Sequence, residues 1–174
     1  VCSESLQFKE ALRLVQKRAQ LMQAAIPEDE GSMAAILGLD DDILVRLCSD
    51  ESNDELVAPV NFNSPGQIVI AGNKNAVQRV IDRSKSVGAK RALLLDVSVP
   101  SHCLLMKPTS ELLFRELQNI SISKPKISVV NNAEVKQYQT PDQIREGLRK
   151  QLYSPVRWLE IINYFIIINS NKCK

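Results

Sequence analysis

The feature that most constrains the fold of this chain is a succession of six short elements between residues 32 and 98. Segments rich in Val, Ile and Ala alternate with two amphipathic segments, and turn residues separate them. In chain order the segments are MAAILGL, DDDILVRLCS, ELVAPVNFN, IVIAG, NKNAVQRVIDRSKSVG and AKRALLLDV. The predicted order is β-α-β-β-α-β, which is the order of ferredoxin-like folds. In those folds two helices cover one face of a four-stranded antiparallel sheet.

RNA-recognition modules share this order of elements, but they stack bases on aromatic side chains of their central strands. In this chain the corresponding segments offer only Phe62. The 22 Lys and Arg residues nearly balance the 20 Asp and Glu residues, and no long run of like charge occurs. The composition therefore argues against a nucleic-acid partner and favours a small molecule or a protein.

The four cysteines are widely scattered without a C-x-x-C pair, and the chain has a single histidine. This pattern argues against a metal site and against a disulfide framework, and it is typical of reduced thiols in the cytoplasm. The first residues form a charged amphipathic segment, so no signal peptide is expected. The apolar run YFIIIN near the C-terminus is too short to span a bilayer. We therefore expect a cytoplasmic protein without a membrane partner.

Helices and strands are also predicted on both sides of the six-element unit. Before it, apolar residues recur at spacings of four and three, which predicts one buried face of a helix that ends at Pro27. The residues of this face are Phe8, Leu12, Val15, Ala19, Met22 and Ile26. After the unit we expect a helix over residues 101–120, a short buried strand over 126–132, a helix opened by Thr140, and a helix at PVRWLEIINYF. These elements alternate as in α/β domains, but they supply too few strands for a complete sheet.

His102, the only histidine, follows a predicted strand in the sequence VSVPSHC. With Ser101 as the helix cap, its imidazole is expected in the first turn of a helix, where the positive helix terminus lowers the pKa of a histidine. A neutral imidazole can accept a proton, which makes His102 a candidate general base. A single histidine can equally have a structural role, and Ser101 is better explained as a cap than as a nucleophile.

Arg18 lies on the first predicted helix, and its neighbours three and four residues away are apolar on both sides. It is therefore expected at the edge of the buried face, where a guanidinium needs an anion. Its planar fork suits a carboxylate or a phosphate. The alternative is that the side chain extends to solvent or pairs with an internal Asp or Glu.

The segment NFNSPGQ concentrates polar side chains around a Pro-Gly turn, among them Asn61 and Asn63. Carboxamides at a turn can line a polar site, although Asn, Ser, Pro and Gly are also the ordinary residues of turns. Asn131 and Asn132, at the exit of the later strand, are open to the same two interpretations. The chain has no G-x-S-x-G sequence, no glycine-rich phosphate loop and no metal-binding motif.

Six segments together resemble the malonyl-CoA:acyl carrier protein transacylases of bacterial type II fatty-acid synthesis. They are VQKRAQLMQAAIP, GSMAAILGLDD, VNFNSPGQIVIAG, GAKRALLLDVSVPSHCLLM, VVNN and QLYSPVRW, in the order and spacing of that family. Acyltransferase domains of polyketide synthases fit less well. The resemblance implies an α/β-hydrolase-like large subdomain, over residues 1–31 and 99–160, with a ferredoxin-like small subdomain over 32–98. By the same resemblance, residues 161–174 are expected to form a divergent tail.

The family resemblance implies transfer of a malonyl group from malonyl-CoA to the phosphopantetheine thiol of acyl carrier protein, through a seryl ester. No cofactor is expected, since the phosphopantetheine belongs to the carrier protein. By this resemblance, His102 matches the general base of the family. Arg18 matches the arginine that binds the free carboxylate of the malonyl group. Asn61 and Asn63 are expected where the two subdomains meet over the site.

The resemblance also implies that the nucleophilic serine, on a G-H-S-x-G turn, precedes Val1, because that motif is absent from the 174 residues. A segment that helps to orient the histidine is expected after the helix at PVRWLEIINYF, where the tail IIINSNKCK departs from the family. We therefore expect a fragment or a decayed copy of such an enzyme, inactive by itself. The alternative is a non-catalytic remnant or interaction module that docks acyl carrier protein.

Overall fold

The computed structural model of the chain describes residues 1–27, 29–97 and 99–172. The predicted boundary at residue 98 and the last two residues of the predicted tail lie outside the described residues. The helices of the described part are α1 Phe8–Gln23, α2 Asp41–Glu51, α3 Lys74–Ser86, α4 Lys107–Gln118, α5 Pro141–Gln151 and α6 Trp158–Lys172. The strands are β1 Gly31–Leu37, β2 Val57–Ser64, β3 Gln67–Asn73, β4 Arg91–Leu94, β5 Val130–Asn131 and β6 Lys136–Gln137, and a 3-10 turn spans Leu104–Met106.

Strands β1 to β4 form one antiparallel sheet in the order β2-β3-β1-β4. Strand β1 pairs with β3 from Gly31 opposite Asn73 to Leu37 opposite Gln67, and with β4 along its other edge. A turn at residues 65–66 joins β2 to β3, and its glycine adopts a φ of 68°, which a residue without a Cβ reaches at little steric cost. The predicted β-α-β-β-α-β order is therefore confirmed.

Helices α2 and α3 cover one face of this sheet. Every second residue of the strands points at them, because side chains of a strand alternate between its two faces. The buried residues of this core are Ala34, Ile36, Leu39, Leu44, Leu47, Cys48, Val57, Ile68, Ile70, Ala76, Val77, Val80, Ile81 and Ala92. At the start of α2 the Asp40 side chain accepts the N–H of Asp42 at 3.0 Å, which satisfies one of the donors that a helix start leaves open.

The opposite face of the sheet packs against the segment that carries the histidine. Met33 of β1, Val60 of β2 and Ala71 of β3 form a buried cluster with Cys103. Cys103 is only 2 % exposed, so it is anchored in this cluster. The sheet therefore fixes the position of the residue next to His102.

A further core joins α1, α4 and α5, and its buried residues are Met22, Met106, Leu113, Leu117, Ile122 and Leu152. Helix α1 enters this core through Leu14, Leu21 and Met22. Phe8, Leu12 and Val15, which we call the α1 stripe, are 68 %, 59 % and 62 % exposed. The prediction that this part of the helix face is buried is wrong, because α4 packs against the side of α1 that carries Leu14 and Leu21.

The predicted buried strand over residues 126–132 is largely absent. Only Val130–Asn131 forms a strand, and it pairs with β6 in a short hairpin. Ile127 and Val129 are 62 % and 50 % exposed. Within the described part of the chain no other strand lies beside this segment, so its backbone groups have no further ladder to join.

The two later helices are confirmed. The Thr140 hydroxyl accepts the N–H of Gln143, and the Gln143 side chain accepts the N–H of Thr140, a capping box that fixes the start of α5. Helix α6 begins at Trp158, in the segment predicted for it. None of the helices described is both long enough and apolar enough to cross a bilayer.

Candidate active site

His102 lies between the four-stranded sheet and the end of α5. Its backbone N–H donates to the carbonyl of Leu152 at 3.0 Å, and its φ of 64° lies in the left-handed region. This region costs a residue with a Cβ on the order of 1 kcal/mol, so neighbouring contacts must hold the conformation. Cys103 supplies one such contact, since its thiol donates to the carbonyl of Pro100 at 3.1 Å.

The prediction that His102 lies in the first turn of a helix is wrong. The 3-10 turn begins at Leu104 and α4 begins at Lys107. The Ser101 hydroxyl donates to the carbonyl of Val99 at 3.5 Å, so it does not cap a helix. The positive φ of His102 prevents the helix from extending back to Ser101, because helical residues have negative φ.

The imidazole of His102 is held in one tautomer. Its Nδ1 lies 2.8 Å from the backbone oxygen of Gln151. Since a carbonyl oxygen only accepts, Nδ1 carries the hydrogen, and Nε2 of the neutral ring keeps its lone pair. Burial lowers the pKa of His102, the bond to Gln151 opposes this effect, and the positive charge of Arg18 adds to it. The ring is therefore neutral near pH 7, with burial rather than a helix terminus as the main cause, and it can accept a proton at Nε2.

The Gln151 carbonyl is available because α5 ends at this residue. The last carbonyls of a helix have no partner within it. Here the carbonyls of Gln151 and Leu152 accept the Nδ1–H and the backbone N–H of His102. The end of α5 thus supplies an acceptor for the Nδ1–H of His102, and a contribution from the segment expected after α6 stays a prediction. Sequence reasoning missed Gln151, because a glutamine at a helix end has no chemical signature beyond its place at the start of QLYSPVRW.

Arg18 reaches the same residue from α1. Its Nη2 donates to the side-chain oxygen of Gln151 at 3.1 Å. The side chain is partly buried, and this burial lowers the pKa of Arg18, although an arginine stays protonated in ordinary buffers. Within the described residues its guanidinium forms no ion pair. The structure therefore does not support the alternative in which Arg18 pairs with an internal Asp or Glu.

Gln151 thus contacts both candidate residues. Its backbone oxygen holds His102 and its side-chain oxygen holds Arg18, so a single residue sets the position of the proton acceptor relative to the cation. An imidazole in this state can take a proton from a hydroxyl or a thiol. A guanidinium beside it can bind a carboxylate in the same site.

The segment of residues 151–156 connects this group to the sheet. The N–H of Val156 donates to the carbonyl of Val60 at 2.8 Å, and the carbonyl of Val156 accepts the N–H of Phe62 at 2.9 Å. These two bonds attach the segment to β2, at the edge of the sheet. The end of α5 is therefore fixed relative to the sheet that holds Cys103.

Asn61 and Asn63 belong to strand β2 rather than to a turn, and both are half-buried. Asn61 forms a parallel bridge with Val156, so it is connected to the His102 group through the backbone of residues 151–156. Among the described side chains, His102 and Arg18 form hydrogen bonds with Gln151, and neither asparagine does. The structure thus brings two of the four predicted site residues into direct contact with one residue.

The β5–β6 hairpin supports the last turns of α5. The Lys150 amine donates to one Glu134 oxygen at 3.1 Å, and the Tyr138 hydroxyl donates to the other. The Tyr138 ring lies over Gly147 so closely that a Cβ there would come within 2.1 Å of Cε2 of the ring. Its hydroxyl is the main reason that the pKa of Glu134 is lowered to about 2.

Asn131 and Asn132 have structural partners in the same hairpin. The side-chain oxygen of Asn131 accepts the N–H groups of Ala133 and Glu134 at 2.8 and 3.1 Å. The carbonyl of Asn132 accepts the N–H of Arg157 at 2.8 Å. The turn interpretation accounts for these contacts. In the part of the chain that is described, no group of three or more His, Cys, Asp or Glu side chains is placed to hold a metal ion.

Comparison with known sequences gives this geometry a context. The family model for the acyl transferase domain matches residues 1–167. The malonyl CoA-acyl carrier protein transacylases of Escherichia coli (strain K12) and Haemophilus influenzae are 50 % and 52 % identical over 164 and 162 residues. These matches cover 94 % and 93 % of this chain, but 53 % and 52 % of the relatives. The chain therefore spans about half the length of the curated relatives it matches.

Solved structures share the fold. The malonyl CoA-acyl carrier protein transacylase of Coxiella burnetii matches with a TM-score of 0.95 and 43 % identity, over 97 % of this chain and 54 % of that one. A malonyl-transacylase in complex with its type II PKS acyl-carrier protein also matches with a TM-score of 0.95, at 49 % identity, over 97 % and 55 % of the two chains. The predicted resemblance is confirmed. This chain belongs to the acyl transferase domain family, and its relatives in sequence and structure are malonyl CoA-acyl carrier protein transacylases.

Proposed function

We propose that this chain is part of an acyltransferase that moves a malonyl group from malonyl-CoA to the phosphopantetheine thiol of acyl carrier protein, in fatty-acid biosynthesis. The observation that carries the proposal is the pair formed by His102 and Arg18 on Gln151. A malonyl thioester has a reactive carbonyl and a free carboxylate. A proton acceptor beside a guanidinium suits both groups.

In this proposal His102 is the general base. Its Nε2 accepts the proton of a serine hydroxyl as the serine oxygen attacks the thioester, and it returns that proton to the departing CoA sulfur. In the second half-reaction Nε2 accepts the proton of the phosphopantetheine thiol, whose sulfur attacks the seryl ester, and the serine oxygen leaves with that proton. Arg18 binds the free carboxylate in both halves, and Asn61 and Asn63 line the site between the subdomains. The only prosthetic group needed is the one on the carrier protein.

We also propose that residues 32–98 form a ferredoxin-like small subdomain. Residues 1–31 and 99–160 would then belong to an α/β-hydrolase-like large subdomain, and 161–174 to a divergent tail. The sheet order β2-β3-β1-β4 and the separate core of α1, α4 and α5 support this division. We place the protein in the cytoplasm, since the cysteines within the described part are all free thiols, which suits a reducing compartment.

Two experiments test the proposed chemistry. The 174 residues contain no G-H-S-x-G turn. The chain by itself is therefore expected to form no stable ester with labelled malonyl-CoA, because His102 then has no hydroxyl to activate. A chimera in which residues 1–167 replace the matched region of the E. coli relative would contain the relative's flanking segments. We expect this chimera to transfer malonyl groups to holo acyl carrier protein.

Two substitutions in the chimera separate the roles. His102→Ala is expected to lower kcat by about 100-fold to 10,000-fold, which is the usual contribution of a general base. Arg18→Ala is expected to weaken the preference for malonyl-CoA over acetyl-CoA, because it removes the carboxylate partner. A fully active His102→Ala chimera, or an Arg18→Ala chimera with unchanged preference, would reject the corresponding assignment.

A second candidate function is a non-catalytic interaction module, favoured by the match to a malonyl-transacylase that was solved in complex with an acyl-carrier protein. Such a module would dock acyl carrier protein without reacting with it. Titration of the chain with holo acyl carrier protein, followed by NMR, distinguishes the two. Saturable shifts together with an inactive chimera would favour the module over the enzyme.

A further inference from the structure

Gln151 presents two different oxygens to the candidate site. The backbone oxygen belongs to the end of α5, so a side-chain substitution leaves it in place. The side-chain oxygen accepts an N–H of Arg18, and a substitution can remove it. The two contacts can therefore be tested separately in one position of the chain.

We propose that the side chain of Gln151 is a positioning group, which holds the Arg18 guanidinium beside His102 without neutralising its charge. An amide oxygen accepts a hydrogen bond but carries no net charge, so it orients the planar fork and leaves its attraction for an anion intact. A glutamate in this position would form an ion pair with Arg18 and compete with a carboxylate ligand. The inference deepens the proposed function and depends on it only for the identity of that ligand.

The single histidine reports on the position of Arg18. Among the described residues, the groups that act on the imidazole are the Arg18 guanidinium from α1 and the neutral carbonyl of Gln151 from the end of α5. The adjacent Cys103 thiol has a pKa of about 11, so it is uncharged while a histidine titrates. If the guanidinium moves away, the imidazolium loses a nearby like charge, and the pKa of His102 rises.

The test is an NMR titration of the His102 ring in the full 174-residue chain, whose ring signals are unambiguous because no other histidine is present. The variants are Gln151→Met, which keeps the length of the side chain without the amide, Arg18→Gln, and the two combined. We expect both single variants to shift the titration midpoint upward. The double variant should titrate like Arg18→Gln alone, because the effect of Gln151 passes through Arg18.

Two further signals separate positioning from a general structural effect. The ring nitrogen shifts of Gln151→Met should keep the Nδ1–H tautomer, since its acceptor is the backbone. The guanidinium Nη–H signals of Arg18, whose Nη2 donates to the Gln151 side chain, should change from ordered to mobile in Gln151→Met and remain ordered in Gln151→Glu, which restores an acceptor. A Gln151→Met chain that loses the tautomer would show disruption of the helix end and overturn the proposal.

The proposal is also overturned by an unchanged midpoint in either single variant, or by a double variant whose shift is the sum of the two. None of these measurements uses malonyl transfer. An inactive chimera with the expected coupling between Gln151 and Arg18 would reject the proposed function and retain the positioning role. An active chimera without that coupling would retain the proposed function and reject the positioning role of Gln151.

Discussion

Replacement of Gly147 by alanine is expected to destabilise this chain, although alanine is the better helix former. Gly147 is buried within α5 under the Tyr138 ring, and an added Cβ would lie 2.1 Å from Cε2 and 2.7 Å from Cζ of that ring. Atoms cannot approach so closely, so the ring must leave or α5 must shift. If the ring leaves, the hydrogen bond from its hydroxyl to Glu134 is lost as well.

The magnitude follows from three contributions. Alanine gains about 1 kcal/mol of helix propensity over glycine. Overpacking costs about 1–3 kcal/mol, and loss of the bond to Glu134 costs about 1 kcal/mol. The net loss of stability is therefore about 1–3 kcal/mol, or a few degrees in the unfolding midpoint of a chain of this size.

The assay is urea unfolding followed by circular dichroism, in the parent chain and in a Tyr138→Ala background. Without the ring the clash is absent, so Gly147→Ala should then stabilise the chain by about 1 kcal/mol through helix propensity alone. The sign of the effect is expected to reverse between the two backgrounds. An equal loss in both backgrounds, or a stabilised Gly147→Ala chain in the parent background, would refute the reasoning.

Replacement of all three residues of the α1 stripe by glutamine is expected to change the free energy of unfolding in urea by less than about 0.5 kcal/mol, because these side chains are already exposed. A large loss of stability would show that the stripe is packed in solution. The pKa of Glu134 is depressed to about 2 in the folded chain, so its ionised form stabilises the fold above the unfolded pKa, and this stability is lost as pH falls from about 4.5 towards 2. Urea unfolding at several pH values should show a shallower acid dependence for Glu134→Gln, with a difference on the order of 1 kcal/mol at neutral pH, and identical profiles would contradict this. In a Cys173→Ser chain, alkylation at pH 8 should be at least about 100-fold slower at Cys48 and Cys103 than at the exposed Cys2, because burial raises the pKa of the two thiols to about 12 and about 11. Equally fast labelling of all three, read by mass spectrometry, would show that the buried thiols are accessible.

The element order of the sheet unit could be predicted because the responsible signals are local. Alternation of apolar residues, an Asp at the start of α2 and a glycine in the tight turn each act within a few residues. The capping box at Thr140 is a signal of the same kind. The prediction of a strand over residues 126–132 was wrong, because an apolar run becomes a strand only where another strand lies beside it.

The candidate site was predictable only in part. His102 and Arg18 could be identified from their positions in the sequence and from the family resemblance. The cause of the lowered pKa of His102 could not be predicted from the sequence, because it depends on burial against residues that are distant in the chain. Gln151 could not be identified either, since its role comes from the geometry of a helix end rather than from its side-chain type.

The sequence by itself determined the order of helices and strands between residues 32 and 98, the caps and turns that bound them, and the family to which the chain belongs. Only the tertiary structure decided which side of α1 is buried, the backbone conformation of His102 and the meeting of His102 with Arg18. The physical reason is the separation along the chain of the groups involved. Gln151 is 49 positions from His102 and 133 positions from Arg18, and contacts at such separations form only when the packed cores bring α1, the segment of His102 and the end of α5 together.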